Sequence, residues 1–339
     1  MKIGAHDTAI RPLIVAEIGN NHEGRFKVAQ ELVLAAASCG ADAVKFQTFQ
    51  AERFVSRADA ARFQRLKGFE LAPAQFTQLA ELARSRGLIV LSTPLDLESA
   101  AFLEPLVDAF KIASGDNTFY PLIERVVRSG KPLIVSTGLS DTEQVRRTVE
   151  FIRTRQRTQG YSAAWALLHC VSSYPVEPAQ ANLRSIPFLA KTFGVPVGYS
   201  DHTVGIEAAV LAAALGAEII EKHVTLDHDY SKFRDHQLSA NPEQLQQLVR
   251  RVREVTAMLG RFDKRVQPCE QSATRQLRRS IAAAADLPVG AQLRWEDLVW
   301  LRPAAGLAPG EEGQLVGKVL KRAVGSGELI GLSDVEPTR

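Results

Sequence analysis

The first three quarters of the chain repeat one pattern: a short apolar run, a cluster of polar residues, and a longer segment with helical periodicity. The runs are PLIVAEIG, DAVKFQTF, LIVLSTP, AFKIASGD, PLIVSTG, AWALLHCVSSYP, PVGYSDH and EIIEKHV. They are largely apolar, which is typical of parallel strands covered on both faces. The pattern therefore predicts eight strand–helix units, and with them an α/β fold of the (β/α)8 barrel type.

A doubly wound open sheet is the alternative architecture for such an alternation. That fold usually carries a glycine-rich dinucleotide-binding turn after its first strand, and NNHEG, which follows the first run, is not such a turn. Polar residues collect instead at the carboxyl end of every predicted strand. In a barrel these ends converge on one mouth, where barrel enzymes bind their substrates.

Two of the predicted strands end in a histidine, His202 in VGYSDHT and His223 in IIEKHVT. Neighbouring parallel strands would bring both imidazoles to one rim of the barrel. Such a pair, with the remaining positions left to water and substrate, suits a divalent metal. A lone histidine more often satisfies a loop backbone group, but two at equivalent strand ends favour the metal.

Two regions depart from the repeat. The segment Ala51 to Phe69 is polar, and we predict that it forms a long loop. Near Gly260 the rhythm stops, so we predict a barrel at 1–262, a charged linker without a clean period at 263–279, and a small strand-rich module at 280–339. A module of this size buries little surface alone and is expected to dock on another surface.

Composition narrows the class of protein. The chain has 339 residues, of which 45% are apolar and 23% charged, and a formal net charge of +3. The charge is too small and dispersed to favour nucleic acid or a membrane surface as a partner. Three widely spaced cysteines make no disulfide framework. The amino terminus lacks the apolar core of a signal peptide, and no apolar run reaches the ~20 residues that span a bilayer. We therefore expect a cytoplasmic location.

The polar clusters form a recognisable series of motifs: AEIGNNHEG, VKFQT, LSTP, FKIASGD, VSTG, LLHCVSSYP, GYSDHT and EKHVT, with LRPAAG in the small module. Over nearly its whole length the chain resembles the sialic acid synthase family, whose members join a TIM barrel to a C-terminal antifreeze-like (SAF, β-clip) domain. The resemblance implies condensation of phosphoenolpyruvate with an N-acyl hexosamine, release of phosphate and formation of a nine-carbon 3-deoxy keto acid. It also implies a divalent metal cofactor, often manganese, with magnesium or cobalt as alternatives.

Phosphoenolpyruvate carries a phosphate and a carboxylate, so its site needs cations and hydroxyl donors. The strand ends supply such a set, and the matching positions of the family contact this substrate: Lys45, Gln47, Thr93, Lys111, Ser114, Ser136, Ser172 and Ser200. Any one of the serines could instead cap a helix. The two roles are compatible, because backbone N–H groups at helix starts also bind phosphate.

The reaction implied by the resemblance assigns further roles. As C3 of the enol attacks the sugar aldehyde, a metal held by His202 and His223 would stabilise the charge on the aldehyde oxygen. Glu17, at the end of the first strand, is the candidate acid/base for water addition and phosphate departure. Its alternative role is that of a structural partner for Lys45 or Lys111.

The residues expected to bind the sugar are identified from the resemblance alone. Asp116, Tyr174 and Asp235 match positions that face the sugar or the metal-bound water. Family members exchange their small domains in a homodimer, so Arg302 would reach the partner's active site and bind the sugar there. The alternative for Arg302 is an ordinary solvated side chain.

The chain departs from the family pattern at three places, and the last two leave the hexosamine open among N-acetylmannosamine, its 6-phosphate and a diacetamido-trideoxyhexose. Many bacterial members have Glu at the position of Asp116, whereas the vertebrate branch has Asp there, as this chain does. SKFRD replaces the common PGPD, and the segment 51–69 contains no Asn. Two other functions are kept as alternatives: a Schiff-base pyruvate aldolase with Lys111 or Lys222 as nucleophile, and a non-enzymatic carbohydrate-binding protein.

Overall fold

The computed structural model of the protein describes residues 1–337 and divides the chain into two compact units, Met1–Gly260 and the residues from Arg261 onward. The last two residues of the predicted small module, 338 and 339, lie outside the described part. No helix among the described residues is long and apolar enough to cross a membrane.

The first unit is built on a closed barrel of eight parallel strands, in sequence order around the ring, with the last strand beside the first. This confirms the predicted (β/α)8 fold. A short hairpin, β1 (Lys2–Ile3) and β2 (His6–Asp7), precedes the barrel. The barrel strands are β3 (Leu13–Gly19), β4 (Ala43–Thr48), β5 (Ile89–Pro94), β6 (Ala109–Ile112), β7 (Leu133–Ser136), β8 (Trp165–Cys170), β9 (Val197–Asp201) and β10 (Ile219–His223).

Alternation along each strand sends every second side chain into the barrel. On β3, Leu13 and Val15 belong to the inner core, and Glu17 continues the same row at the carboxyl end. On β10, Ile219 begins the inward row that ends at His223. His223 lies opposite Glu17 in the register that closes the barrel. The interior is therefore apolar at its base and polar at its mouth.

The helices pack their apolar faces against the outside of the barrel. Those of the first unit are α1 (Phe26–Ser38), α2 (Ala51–Phe54), α3 (Ala60–Phe69), α4 (Pro73–Ser85), α5 (Leu97–Leu103), α6 (Tyr120–Arg128), α7 (Thr142–Gln159), α8 (Ser185–Phe193), α9 (Glu207–Ala214), α10 (Asp235–Leu238) and α11 (Pro242–Leu259). Aspartates or an asparagine accept the first backbone N–H bonds of α3, α5, α7 and α11. None of the predicted site serines serves as a side-chain cap for these four helices.

The prediction of a long loop at 51–69 is wrong, because two short helices, α2 and α3, occupy most of that segment. Phe63 and Leu66 are buried at helical spacing, and they form a small apolar cluster with Phe49 and Leu95. Asp59 accepts a hydrogen bond from the backbone N–H of Arg62 and so starts α3. The segment is thus a helical wall rather than an irregular connection.

The second unit has its own core. Its strands β11 (Ser280–Ala283) and β12 (Leu298–Leu301) pair antiparallel, and Ile281, Leu315 and Ile330 are buried between them and the surrounding turns. The segment predicted as a linker, 263–279, contains a further helix, α12 (Gln271–Leu277). The N–H of Ala304 donates to the carbonyl of Arg275, so part of that segment packs within the second unit.

Candidate active site

Two buried lysines flank one carboxylate at the mouth of the barrel. Nζ of Lys45 lies 3.7 Å from Oε1 of Glu221, and Nζ of Lys111 lies 3.8 Å from the same oxygen. Both lysines are 3% exposed, so their charges are almost completely removed from water. A buried charge needs compensation. Glu221 provides part of it for both lysines, and their two ammonium groups are donors that an anionic ligand in the mouth could meet.

Glu17 is the second carboxylate of this cluster. Its Oε2 lies 2.8 Å from Nζ of Lys45, and its Oε1 accepts a hydrogen bond of 3.1 Å from Gln47. Burial raises the pKa of Glu17, and the nearby charge of Glu221 raises it further, against the opposing effect of Lys45. A carboxyl group with a raised pKa can hold a proton at higher pH than an exposed glutamate. The ion pair with Lys45, which was the alternative role for Glu17, is present as well.

The two lysines differ in their pKa shifts. Burial alone would lower the pKa of Lys45, but the carboxylates of Glu17 and Glu221 outweigh it and raise that pKa. Burial dominates at Lys111 and lowers its pKa, although Glu221 opposes the shift. For Glu221, burial is outweighed by the positive charges of Lys111 and Lys45, and its pKa is lowered. Glu221 therefore stays ionised between two cations.

The hydroxyls of Ser114 and Ser172 form a cradle around Gly138, and Ser136 lies two residues before it at the end of β7. A Cβ at Gly138 would clash with the hydroxyl of Ser172 and lie only 2.6 Å from Oγ of Ser114, so a larger residue there would displace both hydroxyls. The hydroxyls of Ser136 and Ser172 are buried and have no hydrogen-bond partner within residues 1–337. Buried hydroxyls are normally satisfied, so orphaned donors at the mouth indicate a ligand position.

The other predicted contacts of phosphoenolpyruvate already have protein partners. Thr93 Oγ1 accepts from Lys45 at 3.2 Å, and Ser200 donates to Glu221 at 2.9 Å. Gln47, besides donating to Glu17, accepts from the side-chain amide of Asn20 at 2.9 Å. In this arrangement these groups orient the charged side chains of the site.

The two histidines lie side by side at the rim, with ring centroids 5.5 Å apart. Nδ1 of His202 is 2.8 Å from the carbonyl oxygen of Val171, which accepts a hydrogen bond from the N–H at that nitrogen. In the neutral ring the lone pair is then on Nε2. Nδ1 of His223 is buried without a partner in the described chain. Burial lowers the pKa of His223 far below its usual value, helped by the positive charges around it, so its imidazole is neutral.

His202 and His223 are the two side chains predicted as metal ligands. Across the described residues, no three side chains of His, Cys, Asp or Glu are grouped so as to hold a metal ion. Burial lowers the pKa of His202, but the Cys170 and Val171 contacts outweigh it and the net shift is upward. A neutral His223 and an oriented Nε2 on His202 are suitable ligands for a divalent ion whose other positions go to water and substrate.

A cavity of about 960 Å³ opens beside the histidines. Tyr174 and Asp235, two of the residues predicted to bind the sugar, line it. The ring of Tyr174 lies against that of His202, with centroids 4.2 Å apart. Burial raises the pKa of Tyr174, so its phenol stays a neutral donor. Burial also raises the pKa of Asp235, against the opposing charge of Arg234.

Asp116 ends a short 3-10 turn (Ser114–Asp116) that follows β6 and does not line that cavity. Burial raises its pKa to about 6, although the charge of Lys111 opposes the shift. Arg302 lies in the second unit directly after β12, where it is exposed. Its predicted contact with the sugar stays a prediction.

Lys222, one of the two lysines considered as a Schiff-base nucleophile, is in the wrong place for that role. It alternates with Glu221 and His223 on β10 and therefore points out of the barrel. Its Nζ lies 2.9 Å from Oδ2 of Asp201 and also donates to the carbonyl of Thr203. A fully buried ammonium with these partners is not available to a substrate in the mouth.

Sequence reasoning missed several residues of the site. Glu221 was assigned no role from the sequence, although it is the shared partner of Lys45 and Lys111. Asn117 was not singled out, yet its side-chain amide donates to the carbonyls of Ser136 and Gly138 and holds the serine cradle in place. The alternation of β10 could have identified Glu221, since it lies two residues before His223.

The fold and this site together define a barrel enzyme whose mouth carries buried lysines and carboxylates beside two histidines. Comparison with known proteins is more specific. The chain belongs to the NeuB family, whose sequence profile matches residues 32–264, and an SAF domain profile matches residues 278–336. It is an enzyme of the sialic acid synthase type, which confirms the family predicted from the motifs.

Curated relatives and a solved structure cover most of the chain. The N,N'-diacetyllegionaminic acid synthase of Legionella pneumophila is 38% identical over 337 residues, 95% of this chain and 94% of the relative. The N-acetylneuraminate-9-phosphate synthase of Mus musculus is 32% identical over 320 residues, 90% of this chain and 87% of the relative. The structure of N-acetylneuraminic acid synthetase from Leptospira borgpetersenii, in complex with citrate, has a TM-score of 0.75 at 32% identity, covering 80% of this chain and 94% of that one.

Proposed function

We propose that the protein condenses phosphoenolpyruvate with an N-acyl hexosamine, forming a nine-carbon 3-deoxy keto acid of the sialic acid type and releasing phosphate. The observation that carries the proposal is the anion site at the barrel mouth. Lys45 and Lys111 share one carboxylate there, and the free hydroxyls of Ser136 and Ser172 lie at the mouth as well. Phosphate and carboxylate groups are the ligands such donors prefer.

Different residues are proposed to bind each of the two substrates. In the proposal the lysines and the serine cradle bind phosphoenolpyruvate, with Gln47, Thr93 and Ser200 holding the charged side chains in place. The sugar occupies the cavity lined by Tyr174 and Asp235, so that its aldehyde faces the enol. Holding the two reactants in one orientation removes much of the entropic cost of a bimolecular reaction.

Glu17 is the proposed proton carrier. Water adds at C2 of the former enol while phosphate departs, so a proton must leave the water and one must reach the leaving group. A carboxyl with a pKa raised by burial can exchange protons at a higher pH than an exposed glutamate, and Nζ of Lys45 fixes its position at 2.8 Å. Gln47 donates to the other oxygen, Oε1, so the carboxyl group is held at both of its oxygens.

We further propose that His202 and His223 hold a divalent metal, Mn²⁺, with Mg²⁺ and Co²⁺ as alternatives. The fit rests on the orphaned Nδ1 of His223 and on the carbonyl of Val171, which directs Nε2 of His202 away from the backbone. When bound, such an ion acts as a Lewis acid toward the sugar aldehyde. The two imidazoles would fix the position of the ion.

The dimer and the location belong to the same proposal. We expect a homodimer with exchanged small domains, in which Arg302, exposed on its own unit, binds the sugar in the partner's active site. The described cysteines, Cys39, Cys170 and Cys269, are free, which agrees with a reducing cytoplasm.

The test is a phosphate-release assay with phosphoenolpyruvate, with and without metal. The acceptor panel contains N-acetylmannosamine, its 6-phosphate and a diacetamido-trideoxyhexose. Release that depends on both an acceptor sugar and metal supports the proposal, and release with none of the sugars contradicts it. A Schiff-base aldolase is the second candidate, because the lowered pKa of Lys111 suits a nucleophilic amine. Borohydride trapping with pyruvate would then label Lys111.

A further inference from the structure

The cavity beside His223 has a strongly basic exposed side. Four cations line it: Arg62 and Arg65 on α3, and Lys232 and Arg234 on the segment between β10 and α10. Two carboxylates, Glu23 and Asp235, line the same cavity. The lining therefore carries more positive than negative charge.

Both of these carboxylates are already engaged. Glu23 accepts hydrogen bonds from the hydroxyl of Ser231 and from Nε2 of His236, the latter at 3.1 Å. Asp235 has its Oδ1 3.3 Å from Nε of Arg234. Neither carboxylate therefore neutralises a cation on the α3 side of the cavity.

Arg62, Arg65 and Lys232 have no ion-pair partner anywhere in residues 1–337. Other surface cations of this region do: Lys67, on the same helix, pairs with both Glu52 and Glu70. Three unpaired cations facing one cavity attract an anion from solution.

Aromatic side chains contact the two elements that line the cavity, α3 and the segment between β10 and α10. The guanidinium of Arg62 lies 5.8 Å from the ring centroid of Phe54, and that of Arg234 lies 4.7 Å from the centroid of Tyr174. Phe69 of α3 meets Phe233 edge-on at 5.3 Å, which joins the helix to the segment that carries the other two cations. The cations are thus presented from packed elements on both sides.

We propose that these cations bind a phosphate ester carried by the acceptor sugar, at the end of the sugar remote from its aldehyde. The inference rests on the proposed function, which places the aldehyde near His223. The remote end of a hexosamine in the same cavity then faces the basic wall. Arginine offers a planar pair of donors that matches phosphate oxygens, and a neutral sugar would leave this charge unused.

The test compares one N-acyl hexosamine with its terminal phosphate ester, using wild-type protein, a triple variant (Arg62→Gln, Arg65→Gln and Lys232→Gln) and a control, Lys67→Gln. We expect wild-type kcat/KM to be at least about tenfold higher for the phosphorylated sugar, as a few charge-assisted hydrogen bonds would give. The triple variant should bring the ratio of the two kcat/KM values close to one, and the control should keep the wild-type ratio. The KM for phosphoenolpyruvate should not change in the triple variant.

The outcomes separate this inference from the proposed function. Wild-type turnover of the unphosphorylated sugar without any preference for the ester would overturn the phosphate site and leave the synthase reaction standing. A raised KM for phosphoenolpyruvate at an unchanged sugar ratio would also overturn it, because the cations would then serve the other substrate. Absence of phosphate release with both sugars would contradict the proposed function itself. Calorimetric titration of the phosphorylated sugar without phosphoenolpyruvate checks binding directly, and it should show weaker binding in the triple variant only.

Discussion

The ammonium of Lys222 lies 2.9 Å from Oδ2 of Asp201, and neither side chain has exposed surface. Asp201 immediately precedes His202, and Lys222 immediately precedes His223. The ion pair therefore ties the ends of β9 and β10 together on the outer side of the barrel, directly behind the two imidazoles. The spacing of the histidines is set by a contact that no substrate touches.

Replacing Lys222 by Met should destabilise the protein strongly. The change leaves Asp201 as an uncompensated charge in the interior, which costs about 3–5 kcal/mol in comparable buried pairs. Urea denaturation of wild type and variant measures the difference. Adding Asp201→Asn should recover part of the loss, because Asn keeps an acceptor for Thr203 without the charge. A single variant as stable as wild type would show that the pair contributes little.

Removing either histidine should abolish turnover. His202→Ala or His223→Ala takes away half of the proposed ligand set, and the lost Lewis acid is worth several kcal/mol at the transition state. Chelation of the wild type should have the same effect, and added Mn²⁺ should reverse it. Calorimetric Mn²⁺ binding gives a readout apart from activity, and the alanine variants should lose it. Full activity after rigorous metal removal would contradict the metal assignment.

Lys111→Met should mainly weaken the use of phosphoenolpyruvate. The loss of one charge-assisted hydrogen bond, about 1.5–3 kcal/mol, corresponds to a fall in kcat/KM of roughly tenfold to a hundredfold. Steady-state kinetics with each substrate varied in turn will locate the effect. Lys191→Met, which removes an exposed lysine from α8, is the matched control. Unchanged kinetics in the Lys111 variant would place its ammonium outside the substrate site.

Asp116 should make stability depend on pH in an unusual direction. Burial raises its pKa from 3.8 to about 6, so the folded protein holds this proton more tightly than the unfolded chain does. Its contribution is therefore full below pH 3.8 and is lost as the pH rises to about 6. The Tm of Asp116→Asn should exceed that of wild type at pH 7.5, and the difference should shrink as the pH falls below 6. Glu81→Gln, an exposed change on α4, should follow wild type throughout. A constant difference between pH 4.5 and 7.5 would contradict the shift.

Mixed dimers test the proposed role of Arg302. Arg302→Ala and Glu17→Gln chains should each be inactive alone. If the arginine acts on the partner's site, a mixed dimer contains one site lacking both groups and one intact site, so activity should partly return. Phosphate release is measured before and after subunit exchange, with the exchange followed by mass spectrometry. No recovery in exchanged dimers would place Arg302 in its own barrel or outside the site.

The strands could be predicted from the sequence because parallel strands covered on both faces leave continuous apolar runs, and β3 to β10 all follow such runs. Helix α3 was missed, since its apolar positions Phe63, Leu66 and Phe69 are separated by charged residues and fill barely two turns. The missed α3 also carries Arg62, whose place in the cavity is known only once the helix is formed.

Within the site, the sequence showed which residues end each strand but not which of them meet. Lys45, Lys111 and Glu221 come from β4, β6 and β10, which are far apart in the chain and not adjacent in the ring. Their contact depends on inward-facing side chains meeting across a closed barrel, which no local pattern records. The roles assigned by resemblance to Asp116 and Arg302 likewise depend on ligands and a partner chain.

The pairing of His223 with Glu17 has a consequence for the synthesis of the protein. These residues face each other in register across the junction of the first and last barrel strands, so the seam of the barrel runs through the site. A growing chain on the ribosome cannot assemble the two groups until β10 has emerged and docked beside β3. Incomplete chains thus have no means of turning over substrate, and ligands that span the seam favour its closure by binding only the finished barrel.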